Sequence, residues 1–160
     1  MISLPKSIVT PGDNRLIAAC EVMLAAPNDA EETASAFWIL SCSKGDRRRF
    51  IKPAVAALRA ADRHVRWSAA DLLGEIGTRA EGAALIASLN DSSADVVNTA
   101  AKSLAAIGGP ADLAALDAWL GGKGPDWNGN VPRRPDFREE VTKYRDAMAA
   151  RLEGRAEGNR

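Results

Sequence analysis

The stretch VRWSAADLLGEIG, residues 65–77, returns as VVNTAAKSLAAIG, residues 96–108, at a constant offset of 31. A period of this length constrains the fold more than any other feature of the chain, because each copy must be one small unit that stacks on its neighbour. Val65 aligns with Val96, Ala69 with Ala100, Ala70 with Ala101, Leu73 with Leu104 and Ile76 with Ile107. Within one copy, Val65, Ala69, Leu72, Leu73 and Ile76 fall on the apolar stripe of an amphipathic helix. Gly77 and Gly108 follow where a helix C-terminus accepts a left-handed residue, so each copy reads as a helix with a defined stop.

The pattern extends in both directions. Leu85 and Leu89 align with Leu116 and Leu120 at the same offset of 31, which places a shorter second helix after each first one. Leu58 aligns with Leu89 and Val55 with Ile86, so a second helix also precedes Asp62. Ala36 and Leu40 match Ala69 and Leu73 at an offset of 33, and the turn around KGDRRRF absorbs the two extra residues. Asp13 or Asn14 caps a helix running to about Ala26, and Asn28 or Asp29 caps the next. That gives seven repeat helices, none long enough to bury its stripe without a stacked neighbour.

Alanine is abundant and aromatics make up 5% of the chain, which favours helix over sheet and an all-α fold. The expected organisation is an extended arm over 1–13, a repeat array over 14–120, a Gly/Pro-rich loop over 121–135, a C-terminal helix over 136–153 and a frayed tail over 154–160. In that last helix Asp136 and Glu139 form a capping box, and Phe137, Val141, Tyr144, Met148 and Leu152 make one apolar stripe. The stripe is expected to cap the array; the rival is that it docks a partner or a second copy, so monomer and dimer both stand. Cys20 and Cys42 lie in apolar helical stretches and act as small hydrophobes, with no disulfide required.

The motif V-R-x-x-A-A-x-x-L-x-x-I-G, clearest over Asp62–Leu120, resembles HEAT repeats, especially the short bacterial type of the phycobilisome lyases. The resemblance implies a right-handed α-α superhelix of about three to four helix pairs plus a capping helix. In that family the first helices line the convex face and the second helices the concave one. Asp62 and Arg66 match the aspartate and arginine that tie neighbouring units together. Val97 stands at the arginine position of the next unit, so the ladder is incomplete there.

Lysine plus arginine balance aspartate plus glutamate at 21 each, so no global field recruits nucleic acid or membrane. Residues 1–12 hold two prolines, and Glu21 interrupts the apolar run 16–26, so neither a membrane span nor a secretory leader is expected and the chain reads as cytoplasmic. His64 is the only histidine and reads as a solvated residue of the turn before a first helix. No metal-ligand spacing, phosphate-cradling loop or nucleophile elbow occurs, so no catalytic residue, metal or cofactor is expected. Asp71 and Glu75 sit four apart on the polar side of a helix and are expected to face water.

The densest local charge is Arg47, Arg48 and Arg49, with Lys44, Lys52, Arg59, Arg63 and Arg66 around it, a candidate surface for phosphate or an acidic partner. Trp38, Trp67 and Trp119 are expected to fill gaps between units, Trp67 half-buried. Trp127, in the loop, is either tucked in or offered as an anchor. The candidate partner-binding set is therefore Arg48, Arg49, Lys52, Arg59, Arg63 and Trp127. The expected role is a noncatalytic scaffold or adaptor that grips another protein through its concave helix face and long loop. The alternatives are a nucleic-acid-binding protein using the arginine cluster, a bilin-lyase-type subunit, and a toxin-neutralising immunity protein.

Overall fold

A computed structural model describes residues 14–123 and 135–157 of the 160-residue chain. The expected arm, most of the loop with Trp127, and the last three residues lie outside the described residues, as do the side chains of Asp136 and Phe137. Among the described residues the chain is helical without a strand: α1 (Asn14–Ala25), α2 (Ala30–Cys42), α3 (Ile51–Ala57), α4 (Arg63–Ile76), α5 (Gly82–Ser88), α6 (Ala94–Ile107), α7 (Pro110–Ala118) and α8 (Pro135–Glu157). The seven helices expected in the array are present. The final helix runs to Glu157, past the boundary expected at 153.

Local chemistry sets the helix starts. Asp29 caps α2 by accepting from the Glu32 amide at 2.8 Å, while Glu32 accepts from the Asn28 amide at 2.8 Å in return. Asp62 caps α4 by accepting from the amides of His64 and Val65 at 2.7 and 3.2 Å. Thr78 and Glu81 form a capping box over the 3₁₀ turn Arg79–Glu81 that leads into α5, and Pro110 opens α7. The amides that Asp62 receives hold its carboxyl below the usual range. A depressed folded pKa gives stability that is complete above the unfolded value, near 3.9, and is lost as pH falls through the folded value. Acid titration followed by circular dichroism should therefore show stability falling below about pH 4. Asp62→Asn keeps a cap but cannot titrate, so it should flatten that fall; an unchanged acid limb would refute the assignment.

The first helices α2, α4, α6 and α8 stack side by side in one row. Helices α1, α3, α5 and α7 form the second row, each packed on the first helix that follows it. Ala36, Ala69 and Ala100 are fully buried at the matching position of α2, α4 and α6, and Leu40, Leu73 and Leu104 are fully buried one turn on. Small and large residues thus alternate along each seam, which lets the helices approach and interlock. The second helices contribute Ala54, Leu85 and Leu116, also fully buried and also 31 apart.

Gly77 and Gly108 do not take the left-handed conformation expected of them. Their φ values are −71° and −62°, in extended backbone that any residue adopts. What excludes a side chain there is crowding. A Cβ on Gly77 would stand 2.5 Å from the Leu73 carbonyl oxygen of its own helix and 2.9 Å from Ile107 of α6, and a Cβ on Gly108 would stand 2.7 Å from the Leu104 carbonyl oxygen and 2.5 Å from Met148 of α8. Met148 thus occupies, for the last unit, the place that Ile107 takes for the one before. Helix α8 acts as the first helix of a following unit, with Val141 and Met148 fully buried in the same chain. Its other side, including Glu139, Glu140, Lys143, Asp146 and Glu153, is exposed and charged, so the stack ends on a polar face.

Both cysteines are free thiols. Cys20 is buried between α1 and its neighbours, and burial pushes its thiol up to about 11, so it stays protonated and inert.

Candidate functional site

Ties between units come first, because they decide which polar groups remain free for a partner. Arg66 reaches out of α4 to Asp91 in the turn before α6, with Nε and Nη2 donating to the two carboxylate oxygens at 2.6 and 2.8 Å. Its Nη1 donates to the carbonyls of Ala60 and Ala61 at 2.9 and 2.7 Å. Arg66 therefore joins two turns, the one before α4 and the one before α6, while Asp62 acts on its own helix as a cap. The aspartate that receives Arg66 is not the equivalent of Asp62, which in the next unit is Ser93.

Asp71 does not face water with Glu75 as the sequence suggests. It is 9% exposed and pairs at 3.2 Å with Lys102, the residue 31 positions later on α6. The offset is the physical reason: equivalent residues of adjacent first helices stand next to each other across the seam. Beside that pair, Ser103 Oγ donates to the Ala70 carbonyl at 2.8 Å. Gly74 lies against Ser103, where a Cβ would come within 2.5 Å of its hydroxyl. Trp119 fills its gap as expected, and its indole N–H donates to the Leu89 carbonyl at 3.1 Å.

The arginine cluster is divided by the fold. Arg47 turns inward and its Nη1 donates to the carbonyls of Leu40 and Ser41 at the end of α2. Arg49 pairs with Glu21 of α1 at 2.9 Å and lies over the Phe50 ring at 4.8 Å from its centre. Arg48 and Lys52 are exposed at the start of α3, while Arg59 and Arg63 are exposed beyond its end. Lys52 and Arg59 are seven positions apart, about 10 Å of helical rise. Trp127 lies outside the described residues.

Two surfaces remain open. The outward side of the second row repeats with the period of the fold: Lys52, Ala83 and Ala114 are exposed at one position, and Ala56, Ala87 and Ala118 at the next. Helix α5 carries no charged residue, so the middle of this strip is small and neutral. The other surface is a cavity of about 290 Å³ between the N-terminal ends of α4 and α6. It is lined from α4 by Arg63, His64 and Trp67, and from the α6 side by Ser93, Asp95, Asn98 and Thr99.

His64 is thus in the first turn of α4 and half-buried, not a solvated turn residue. Of the cavity residues, Arg63 is among the sequence-predicted binding residues, whereas His64 and Trp67 stand out in the sequence for other reasons. The 31-residue offset, which sets His64 beside Asp95 and Trp67 beside Asn98, is the signal that finds the rest. Among the described residues, no three His, Cys, Asp or Glu side chains gather as a metal site. No described helix is long and apolar enough to cross a membrane.

Residues 51–127 match the family model for HEAT repeats. No curated protein matches the chain.

Proposed function

The chain is a HEAT-repeat protein, and we propose that it works without chemistry of its own, as a scaffold that binds another protein across the outward side of its second helices. One observation carries this reading. The same two positions of α3, α5 and α7 are exposed in three consecutive units, and five of those six residues are alanine. A strip of small side chains, uncharged over α5, lets a partner backbone come close and loses little side-chain entropy on binding. Arg48, Lys52 and Arg59 at the α3 end add positive charge, which favours a partner acidic on that side.

Affinity capture from native lysate at low and high salt tests the reading. A single protein retained at both salts by the wild type and lost with Ala87→Arg supports it. Ala87 is exposed, so that change should shift stability by no more than about 0.5 kcal/mol while placing a bulky charge mid-strip. Retention of nucleic acid at low salt only, abolished by Arg48→Ala with Arg49→Ala, would replace it with a nucleic-acid role.

A further inference from the structure

The cavity between α4 and α6 is a second site, at the edge of the array. Its seven side chains make no hydrogen bond or ion pair among the described residues. Elsewhere, turn residues such as Thr78, Asp91 and Asp112 are committed to backbone or side-chain partners. The seam explains the opening. Near the C-terminal ends, Gly74 lies on Ser103 and Lys102 on Asp71, whereas at the N-terminal ends Trp67 stands where the gap is wide.

Two observations identify the missing chemistry. Helix α4 is capped by the carboxylate of Asp62, but Ser93 at the equivalent position of α6 makes no capping bond, so the first amides of α6 lack an acceptor. Thr99, 7% exposed, lines the cavity with its hydroxyl likewise uncommitted. A carboxylate in the cavity would serve the α6 amides as Asp62 serves α4, with Arg63 beside it. The remaining groups are not those of a simple anion site. Asp95 is an acceptor, the Asn98 carboxamide gives through its NH2 while its oxygen is buried without a partner, and the Trp67 ring is a flat apolar surface. That mixture matches a peptide unit next to the carboxylate, and Asp95 disfavours a doubly charged phosphate.

We propose that this groove binds the C-terminal carboxylate of a polypeptide, with the last side chain against Trp67 and the last peptide group on Asn98 and Asp95. The occupant is a polypeptide because the scaffold reading supplies one, and the two can fail separately: Ala87→Arg blocks the strip and leaves the groove intact.

His64 is the only histidine, so its ring protons are a single NMR reporter inside the groove. Titration with N-acetylglycyl-phenylalanine bearing a free carboxylate should shift them saturably. Its C-terminal amide should bind about tenfold or more weakly, the loss expected for one charge-assisted hydrogen bond. Arg63→Gln should narrow the difference between acid and amide to the part that the α6 amides supply. Ser93→Asp should abolish binding while raising thermal stability, because it supplies the cap from within. Equal binding of acid and amide, no saturable shift with the acid, or inorganic phosphate binding as tightly as the acid would overturn the proposal.

Discussion

Arg66→Ala is expected to destabilise the protein by about 3–5 kcal/mol, the cost of stranding one member of a buried ion pair. The Arg66 and Asp91 side chains are 13% and 8% exposed, and their contact is bidentate at 2.6 and 2.8 Å. Removing the guanidinium leaves the Asp91 carboxylate with the Ser93 amide but no cation, and leaves the carbonyls of Ala60 and Ala61 without their donor. Asp91, acting as hydrogen-bond partner, also holds the guanidinium pKa above its ordinary value. Lysine cannot reproduce a fork that serves two carboxylate oxygens and two carbonyls, so Arg66→Lys should recover only a minor part. Urea unfolding of Arg66→Ala, Asp91→Ala and the double variant checks the assignment. The double variant should cost well below the sum of the singles, and strict additivity would mean the pair does not act as one.

How much of this was visible in advance follows from period and chemistry. The offset of 31 placed α3 to α7, because buried alanine and leucine at fixed positions is what stacking requires, while α2 needed an offset of 33 and α1 was read from its capping residues. It also placed Asp71 beside Lys102 and Trp67 beside Asn98, but that needs the offset applied across the seam rather than along one helix. Reading each helix alone made Asp71 look solvent-facing.

The arginine cluster was misleading for a similar reason. Adjacent residues in a turn point different ways, so Arg47 caps the end of α2 while Arg49 meets Glu21. The glycines Gly77 and Gly108 were found as helix stops, yet the reason is crowding, by the Leu73 and Leu104 carbonyls one turn back in the same helix and by a side chain of the next first helix, and only the second depends on contacts that no local pattern contains. Ser93 carried no legible signal. Serine caps a helix as readily as the Asp62 of the preceding unit, so only the structure shows that the start of α6 is left open.

Met148→Asp is expected to release the end of the stack without unfolding its beginning. Met148 is fully buried, and its methyl group lies where a side chain on Gly108 would have to go. Arg151, one turn on, donates to the carbonyls of Ala105 and Gly108, which satisfies acceptors that the end of α6 leaves open. A carboxylate at position 148 would be buried against α6 and α7 with no partner provided for it, so α8 should detach, whereas Met148→Ala should cost about 2–5 kcal/mol and leave it docked. In an array whose units touch only their neighbours, that loss should propagate from α8 into α7 and α6 and fade before α2. Hydrogen exchange should then show protection lost over α6–α8 and retained over α2–α4, with new binding of a hydrophobic dye to the uncovered face of α6. Uniform loss of protection would mean that the units melt as one block, and an unchanged profile would mean that α8 does not close the stack.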